Sequence, residues 1–140
     1  MQFGELRTDL GSGLLHYGLA PHQTVGIYSV NCTGWVLTAE ACNAYSMVTV
    51  PLYDTLGPDA VRYISGHAEL AAIACSANLL SVLLPCLAEC PTIQLVVRQS
   101  AGIRTQRAFV CIRVAAPAHK PLQCCASSMW SPESRRSCRR

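Results

Sequence analysis

Lysine is almost missing from this chain of 140 residues, and its single copy, Lys120, stands near the end. Residues 1–97 contain none, which excludes a mechanism based on a phosphate-binding or catalytic lysine in that part. Gly11-Ser12-Gly13 begins like a dinucleotide-binding fingerprint, but the third glycine is absent and the motif lies inside a helical pattern. We therefore expect no phosphate-binding loop here.

A secretory leader is not evident either, because Met1 is not followed by a basic segment, an apolar run and a small-residue cleavage site. We therefore expect an intracellular protein whose nine cysteines are free thiols and not a disulfide scaffold. The glycosylation sequon Asn31-Cys32-Thr33 is then interpreted as accidental.

The cysteines also lack the Cys-x2-Cys spacing that zinc sites use. Cys86 and Cys90 lie one helical turn apart, but no second pair of ligands accompanies them. The same holds for the group near the end of the chain, which comprises His119, Cys124, Cys125 and Cys138. The sequence therefore predicts no metal site.

The histidines and aspartates form no recognisable catalytic set. His67 follows a glycine at the end of a predicted helix, where an imidazole caps the helix or packs against it. His16 and His22 flank a turn. Asp59 is placed to cap a helix, and not to act with Asp54 as an acid and base pair.

Short apolar, β-prone runs are what the sequence does contain. Four of them begin 22 to 24 residues apart, at residues 24–28, 48–53, 70–75 and 93–97, with helix-compatible segments before and between them. Strands that alternate with helices predict right-handed crossovers and a parallel sheet covered on both faces. The predicted fold is therefore α/β, a Rossmann-like parallel sheet with covering helices.

Local signals mark the helix ends. Leucines at every fourth position from Leu6 to Leu14 line one face of a first helix, which is predicted to end at Gly18. Thr33 is predicted to cap the second helix, and Pro58 to open the third.

Residues 70–88 carry no charge and are long enough for a membrane-spanning helix. Ser76, Asn78 and Ser81 interrupt the apolar run, and Pro85 breaks helical hydrogen bonding near its end. We interpret the segment as a strand followed by a helix, and predict no transmembrane segment.

The carboxyl ends of the predicted strands are candidate binding edges, since ligands of open parallel sheets bind there. They lie at residues 29–31, 53–55 and 76–78, which are mostly small or polar. Their position alone supports this prediction.

The charge changes sign near Val97. Residues 1–97 carry two basic and seven acidic groups, whereas residues 98–140 carry nine basic groups and one acidic group. The second part lacks sustained periodicity, and we predict a disordered tail. Clustered arginines could contact the phosphates of nucleic acid or anionic lipid, but only Phe109 and Trp130 could stack on bases, so nucleic acid is not the predicted partner.

Residues 2–97 resemble the N-terminal region of a long-chain acyl-CoA synthetase of plant or algal type, within the adenylate-forming superfamily. The resemblance rests on Asn31-Cys32 with Trp35, and on the runs VGIYS at 25–29, ACNAYS at 41–46 and VTVPLYDTLGP at 48–58. It stops after Val97. It implies two parts, a partial N-terminal domain at 1–97 and a non-homologous basic tail at 98–140.

The resemblance implies a reaction in which a long-chain fatty acid, ATP and Mg²⁺ give an acyl-adenylate, and coenzyme A then takes the acyl group. The family motifs for this chemistry are missing from these residues: the phosphate loop ending in Pro-Lys-Gly, Gly-Tyr-Gly-x-Thr-Glu, Tyr-x-Thr-Gly-Asp and the C-terminal catalytic lysine. No catalytic, cofactor-binding or metal residue is therefore assigned, and no cofactor is expected for this chain by itself.

Two functional hypotheses follow from the resemblance. In the first, the chain is a truncated ligase without activity of its own. In the second, it is a non-catalytic unit that associates with a full-length synthetase. Family members occur at endoplasmic reticulum, peroxisome or plastid membranes, and the sequence does not choose among them.

Overall fold

The computed structural model describes residues 2–100 and 109–114 of the chain. Its helices are α1 (Phe3–His16), α2 (Thr33–Ala44), α3 (Pro58–His67) and α4 (Leu80–Cys86). Its strands are β1 (Thr24–Tyr28), β2 (Val48–Leu52), β3 (Ala72–Ser76), β4 (Leu95–Gln99) and β5 (Phe109–Arg113). Two short 3-10 turns, Ala77–Leu79 and Leu87–Glu89, flank α4.

The strands form one sheet in the order β2-β1-β3-β4-β5. β1 pairs in parallel with both β2 and β3, and β3 pairs in parallel with β4. The chain thus passes from β1 outward to β2 and then back across to β3, which makes the sheet doubly wound. The predicted α/β fold with a parallel sheet is confirmed, and β5 extends it as an antiparallel edge strand.

Both faces of the sheet are covered, as the alternation of side chains along the strands requires. On one face, Ala72 and Ala74 of β3 pack in a cluster with buried leucines of α1 and α2. On the other face, Ile73 and Cys75 of the same strand pack in a cluster that includes Val61 of α3. Leu83 of α4 joins this second cluster.

The helix ends follow local chemistry. α1 buries its leucines and ends before Gly18, whose φ of +101° is the left-handed conformation that glycine adopts without strain. Gly57 precedes α3 as its N-cap, and Pro58 opens the helix as predicted. The N-cap of α2 is Cys32 and not Thr33, because Cys32 has the extended backbone (φ −148°, ψ 171°) of a cap residue and Thr33 is already helical.

The structure differs from the prediction of a tail that begins at residue 98. Arg98 and Gln99 complete β4, and Phe109–Arg113 forms β5 against it. Phe109 and Cys111 are buried in the same cluster as α1 and α2, so this strand contributes to the core. The predicted disorder of residues 101–108 and 115–140 lies outside the described residues.

Residues 70–88 divide into a strand and a helix, as predicted. β3 is fully buried in the centre of the sheet. α4 ends at Cys86, one residue after Pro85, and a 3-10 turn follows it. Across the two described ranges, no helix is both long and apolar enough to span a bilayer.

Candidate functional site at the carboxyl edge of the sheet

The doubly wound topology creates a switch point between β1 and β3, because the connections that leave these neighbours run to opposite sides of the sheet. The carboxyl ends of β1, β3 and β4 and the start of α2 meet at this edge. Two of the three predicted binding segments, 29–31 and 76–78, lie here. The third, 53–55, follows β2 and is exposed to solvent.

Two serines join the ends of β1 and β3. The hydroxyl oxygens of Ser29 and Ser76 are 2.5 Å apart, and both residues are buried. Ser29 Oγ donates to the Val30 carbonyl at 3.0 Å, so Ser76 is the donor in the shared hydrogen bond. Cys32 Sγ, on the exposed N-cap of α2, lies 3.6 Å from Ser29 Oγ.

Gln99 ties the end of β4 to the first turn of α2. Its Nε2 donates to Thr38 Oγ1 at 2.8 Å and to the Gly34 carbonyl at 3.2 Å. Thr38 Oγ1 in turn donates to the same carbonyl at 2.8 Å. Gln99 is only 4% exposed, and its Oε1 accepts no hydrogen bond from any residue that the structure describes.

These polar groups position the backbone and do not form a catalytic set. Activation of a serine requires a base within hydrogen-bonding reach, and the partners of Ser29 are a hydroxyl, a thiol and a carbonyl. The three described histidines lie elsewhere and are exposed. We name this group, Ser29, Cys32, Thr38, Ser76 and Gln99, the carboxyl-edge cluster.

His67 and Asp59 lie at the helix ends where the sequence predicts them, but Asp59 makes no capping hydrogen bond. His67 lies in the last turn of α3 and stacks on Tyr63, with ring centroids 5.7 Å apart. Asp59 lies in the first turn of the same helix and pairs with Arg62 at 2.6 Å. Asp54 is exposed in the loop after β2.

Burial determines the state of most thiols. Cys32, Cys42, Cys75, Cys86 and Cys90 are free thiols in the structure. Burial in the core raises the pKa of Cys42, Cys75 and Cys111 to about 12, which makes these thiols poor nucleophiles. Within 2–100 and 109–114, no three His, Cys, Asp or Glu side chains are grouped to hold a metal ion. The group from His119 to Cys138 lies outside those ranges.

Gly11 and Gly13 serve helix packing. Both are buried within α1, which precedes the first strand of the sheet and follows none. A Cβ on Gly11 would collide with the ring of Tyr45, whose hydroxyl donates to the Thr8 carbonyl at 3.2 Å. The glycine therefore allows α1 and α2 to approach closely, and the expectation that this motif is no phosphate loop agrees with its place in the fold.

Comparison with known proteins identifies the family. The model of the AMP-binding enzyme family matches residues 2–123, past the point where the sequence resemblance stops. Over 94 residues the chain is 53% identical to the peroxisomal long chain acyl-CoA synthetase 6 of Arabidopsis thaliana, which covers 67% of this chain. It is 50% identical over 74 residues to long-chain-fatty-acid–CoA ligase 1 of Cavia porcellus, which covers 51% of it.

The matched regions are short parts of these relatives, 13% of the plant synthetase and 11% of the Cavia ligase. Solved structures share the fold at low identity. Anthranilate CoA ligase AuaEII with anthranoyl-AMP aligns with a TM-score of 0.68 at 16% identity, over 74% of this chain and 20% of that one. A long-chain-fatty-acid-CoA ligase from Archaeoglobus fulgidus aligns with a TM-score of 0.65 at 20% identity, over 69% and 19% of the two chains. On the family match, this chain belongs to the AMP-binding enzymes, and its relatives include long-chain acyl-CoA synthetases.

Proposed function

We propose that this chain corresponds to the N-terminal scaffold of a long-chain fatty acid–CoA ligase. The whole reaction would join a fatty acid to AMP from ATP with Mg²⁺, release pyrophosphate, and transfer the acyl group to the thiol of coenzyme A. Relatives at about 50% identity support this assignment. The peroxisomal name of the plant relative supports an intracellular location.

The 140 residues by themselves are proposed to be inactive in this reaction. The observation that carries this proposal is the carboxyl-edge cluster, whose hydroxyl and amide groups bond to each other and to nearby backbone carbonyls. Attack on ATP needs cations or backbone N–H groups aimed at the charge that develops on phosphate. The described residues contain no lysine, and Arg62 on α3 is ion-paired with Asp59 and Glu89, away from this cluster. Arg113 donates to the Tyr17 carbonyl.

The test is an assay of the purified chain with palmitate, ATP, Mg²⁺ and coenzyme A. We expect no palmitoyl-CoA by mass spectrometry, and no pyrophosphate release above that of heat-denatured chain. The positive control is the peroxisomal Arabidopsis relative at equal molarity. Palmitoyl-CoA that accumulates linearly with time and with chain concentration would contradict the proposal.

Association with a full-length synthetase is the second candidate function. The observation that favours it is a group of exposed apolar side chains around α2 and β2: Val36 at 48%, Val48 at 51% and Tyr53 at 66% exposure. Strand addition to the free edge of β2 is disfavoured. The Val48 N–H donates toward β1, so the backbone groups of Thr49 and Pro51 face the free edge. Pro51 has no N–H to donate to an added strand. Contact would therefore be made by side chains.

Co-purification with a tagged full-length synthetase tests this association. If these side chains form the contact, a Val36→Ser/Val48→Ser double variant should lower recovery about fivefold or more. Tyr63→Ser is the matched control, since Tyr63 is 71% exposed on α3, which covers the opposite face of the sheet. Equal recovery of wild type and both variants, or no recovery of wild type, would contradict the proposal.

A further inference from the structure

A pair of thiols lies between α3 and α4, away from the carboxyl-edge cluster. Cys86 is the last residue of α4, and Cys90 follows the 3-10 turn Leu87–Glu89. The two residues are four apart across the change from α-helix to 3-10 turn, where a rise of about 1.5 to 2.0 Å per residue separates their Cα atoms by about 6 to 8 Å. A disulfide between them therefore requires the turn Leu87–Glu89 to adjust when it opens. Both side chains are buried, with 1% and 2% exposure.

A guanidinium group accompanies the pair. Arg62 Nη1 bonds to Asp59 at 2.6 Å, and its Nε lies 3.3 Å from Glu89 Oε1 without hydrogen-bond alignment. The Glu89 carboxylate raises the pKa of Arg62, burial opposes this, and the Asp59 carboxylate and the Cys86 sulfur add to the increase. Arg62 lies one helical turn after Pro58, whose carbonyl is 3.7 Å from the Cys86 sulfur, so its permanent positive charge is on the side of α3 that faces this sulfur.

Both thiols lie against α3, since Cys90 packs in the same core cluster as Val61 of that helix. Cys86 Sγ contacts the Val82 carbonyl at 3.3 Å and the Pro58 carbonyl at 3.7 Å. Burial raises the pKa of Cys90, Cys86 adds to the increase, and the buried hydroxyl of Ser65 opposes it. By contrast, Cys42 and Cys75 lie among the apolar side chains of the two core clusters, where burial is the cause that raises their pKa, and Cys32 is exposed.

The segment that carries the pair is the least regular part of the fold. α4 has seven residues, contains Pro85, and is flanked by 3-10 turns, so few helical hydrogen bonds hold it. Short elements of this kind open locally at lower free energy than central strands. Local opening of α4 would expose both sulfurs to small solutes without separating β3 from β4.

We propose that Cys86 and Cys90 form a reversible oxidation site for hydroperoxides, with Arg62 as the positioning residue for the reacting Cys86 sulfur. The Cys86 thiolate attacks a peroxide oxygen, the O–O bond breaks, and the released hydroxide takes the thiol proton to give water and a sulfenic acid. The Cys90 sulfur then attacks the Cys86 sulfur. The S–O bond breaks, a second water leaves, and a disulfide remains.

The balance is a two-electron oxidation of two thiols by one hydrogen peroxide, with two waters as the other product. An added thiol reverses it by disulfide exchange. The disulfide removes the Cys86 thiol from its contacts with Val82 and Pro58, and so loosens the packing of α4 on α3.

Peptide mapping of the full chain after hydrogen peroxide treatment tests the proposal. Trypsin cleavage after Arg62 and Arg98 gives one peptide, residues 63–98, that carries Cys75, Cys86 and Cys90. A second protease that cleaves after Glu89 separates Cys86 from Cys90 unless a disulfide joins them. We expect the two halves to remain linked until reduction, while Cys75 in the same peptide is alkylated.

The charge of Arg62 is tested by the rate of linkage. Arg62→Gln should slow disulfide formation roughly fivefold, whereas Arg62→Lys, which keeps the cation, should stay within about twofold of wild type. In urea the preference for Cys90 over Cys75 should disappear. Linkage of Cys86 to Cys75 as often as to Cys90 in the folded chain would overturn the proposal. Alkylation of both Cys86 and Cys90 at a peroxide dose that fully oxidises Cys32 would also overturn it. This last result is obtained with the wild-type chain, so it decides the question even if a variant does not fold.

Discussion

Replacing Phe109 by alanine is expected to lower the free energy of unfolding by about 3 to 5 kcal/mol. Phe109 is 4% exposed and packs in the cluster that joins the sheet to α1 and α2. Its strand pairs with β4 through five residue partners, so the side chain is fixed over the core. Truncation therefore leaves a cavity that the surrounding leucines fill only partly. Urea denaturation followed by far-UV circular dichroism measures the change.

Val110→Ala is the matched control for this prediction. Val110 is the next residue of β5, half-buried and outside both core clusters, and its truncation should lower the free energy of unfolding by about 1 kcal/mol or less. A Phe109→Ala midpoint equal to that of wild type would show that β5 adds nothing to stability. In that case the stable fold would end with β4.

β5 shows why the sequence prediction stopped too early. Phe109, Val110, Cys111 and Ile112 form a short continuous apolar run, which is the signal of a strand covered on both faces. A run this short inside a strongly basic segment without other periodicity was not enough to predict a strand. The antiparallel partner of β4 also breaks the regular strand and helix alternation on which the predicted order rested.

The first four strands were predicted from their apolar runs, but two of them begin later than predicted. Leu70 and Ala71 are buried before β3 starts, and the Leu70 N–H donates to the Ser65 carbonyl in the turn that ends α3. Ile93 similarly bonds to the Cys90 carbonyl in a turn. An apolar run indicates that residues are buried. Residues in the turn after a helix can be as buried as those in a strand, so the run does not determine where the strand begins.

The carboxyl-edge cluster was predictable in its place, and in only some of its members. The rule that ligands bind beyond the ends of parallel strands selects Ser29 and Ser76, which the structure brings into contact. Gln99 was missed, because its meaning depends on Thr38, which lies 61 residues earlier in the chain. A single polar residue at a strand end carries no signal of a partner so distant in sequence.

The second large effect is expected for Gln99→Glu, which should destabilise the fold by about 3 kcal/mol or more at pH 7. The substitution is nearly isosteric, but it replaces the Nε2 donor with a carboxylate oxygen that faces the Gly34 carbonyl. The lost donor leaves that carbonyl and Thr38 Oγ1 bonded to each other. The dominant effect is therefore the burial of a charge without a counter-ion.

Gln99→Leu separates this charge effect from the loss of hydrogen bonds. Leucine has a similar volume, and it removes a buried Oε1 that accepts no hydrogen bond from the described residues. The Gly34 carbonyl keeps its hydrogen bond from Thr38, and Thr38 Oγ1, which loses its donor, stays bonded through its own hydroxyl hydrogen. We expect a change of about 1 kcal/mol or less in either direction. A loss as large as that of Gln99→Glu would show that the hydrogen bonds, and not the charge, dominate.

The pH dependence of Gln99→Glu has a definite sign. Burial raises the pKa of the introduced carboxyl above its value of about 4.3 in the unfolded chain. The folded variant then binds the proton more tightly than the unfolded chain does, so its stability relative to Gln99→Leu rises as the pH falls. The loss of stability caused by the buried charge is complete above the pKa of the introduced carboxyl in the folded chain, and it disappears below about pH 4. Urea midpoints of the two variants at pH 7 and pH 5 measure this difference. A gap that stays constant between these pH values would mean that the side chain leaves the core and reaches solvent, because only a buried carboxyl couples its protonation to folding.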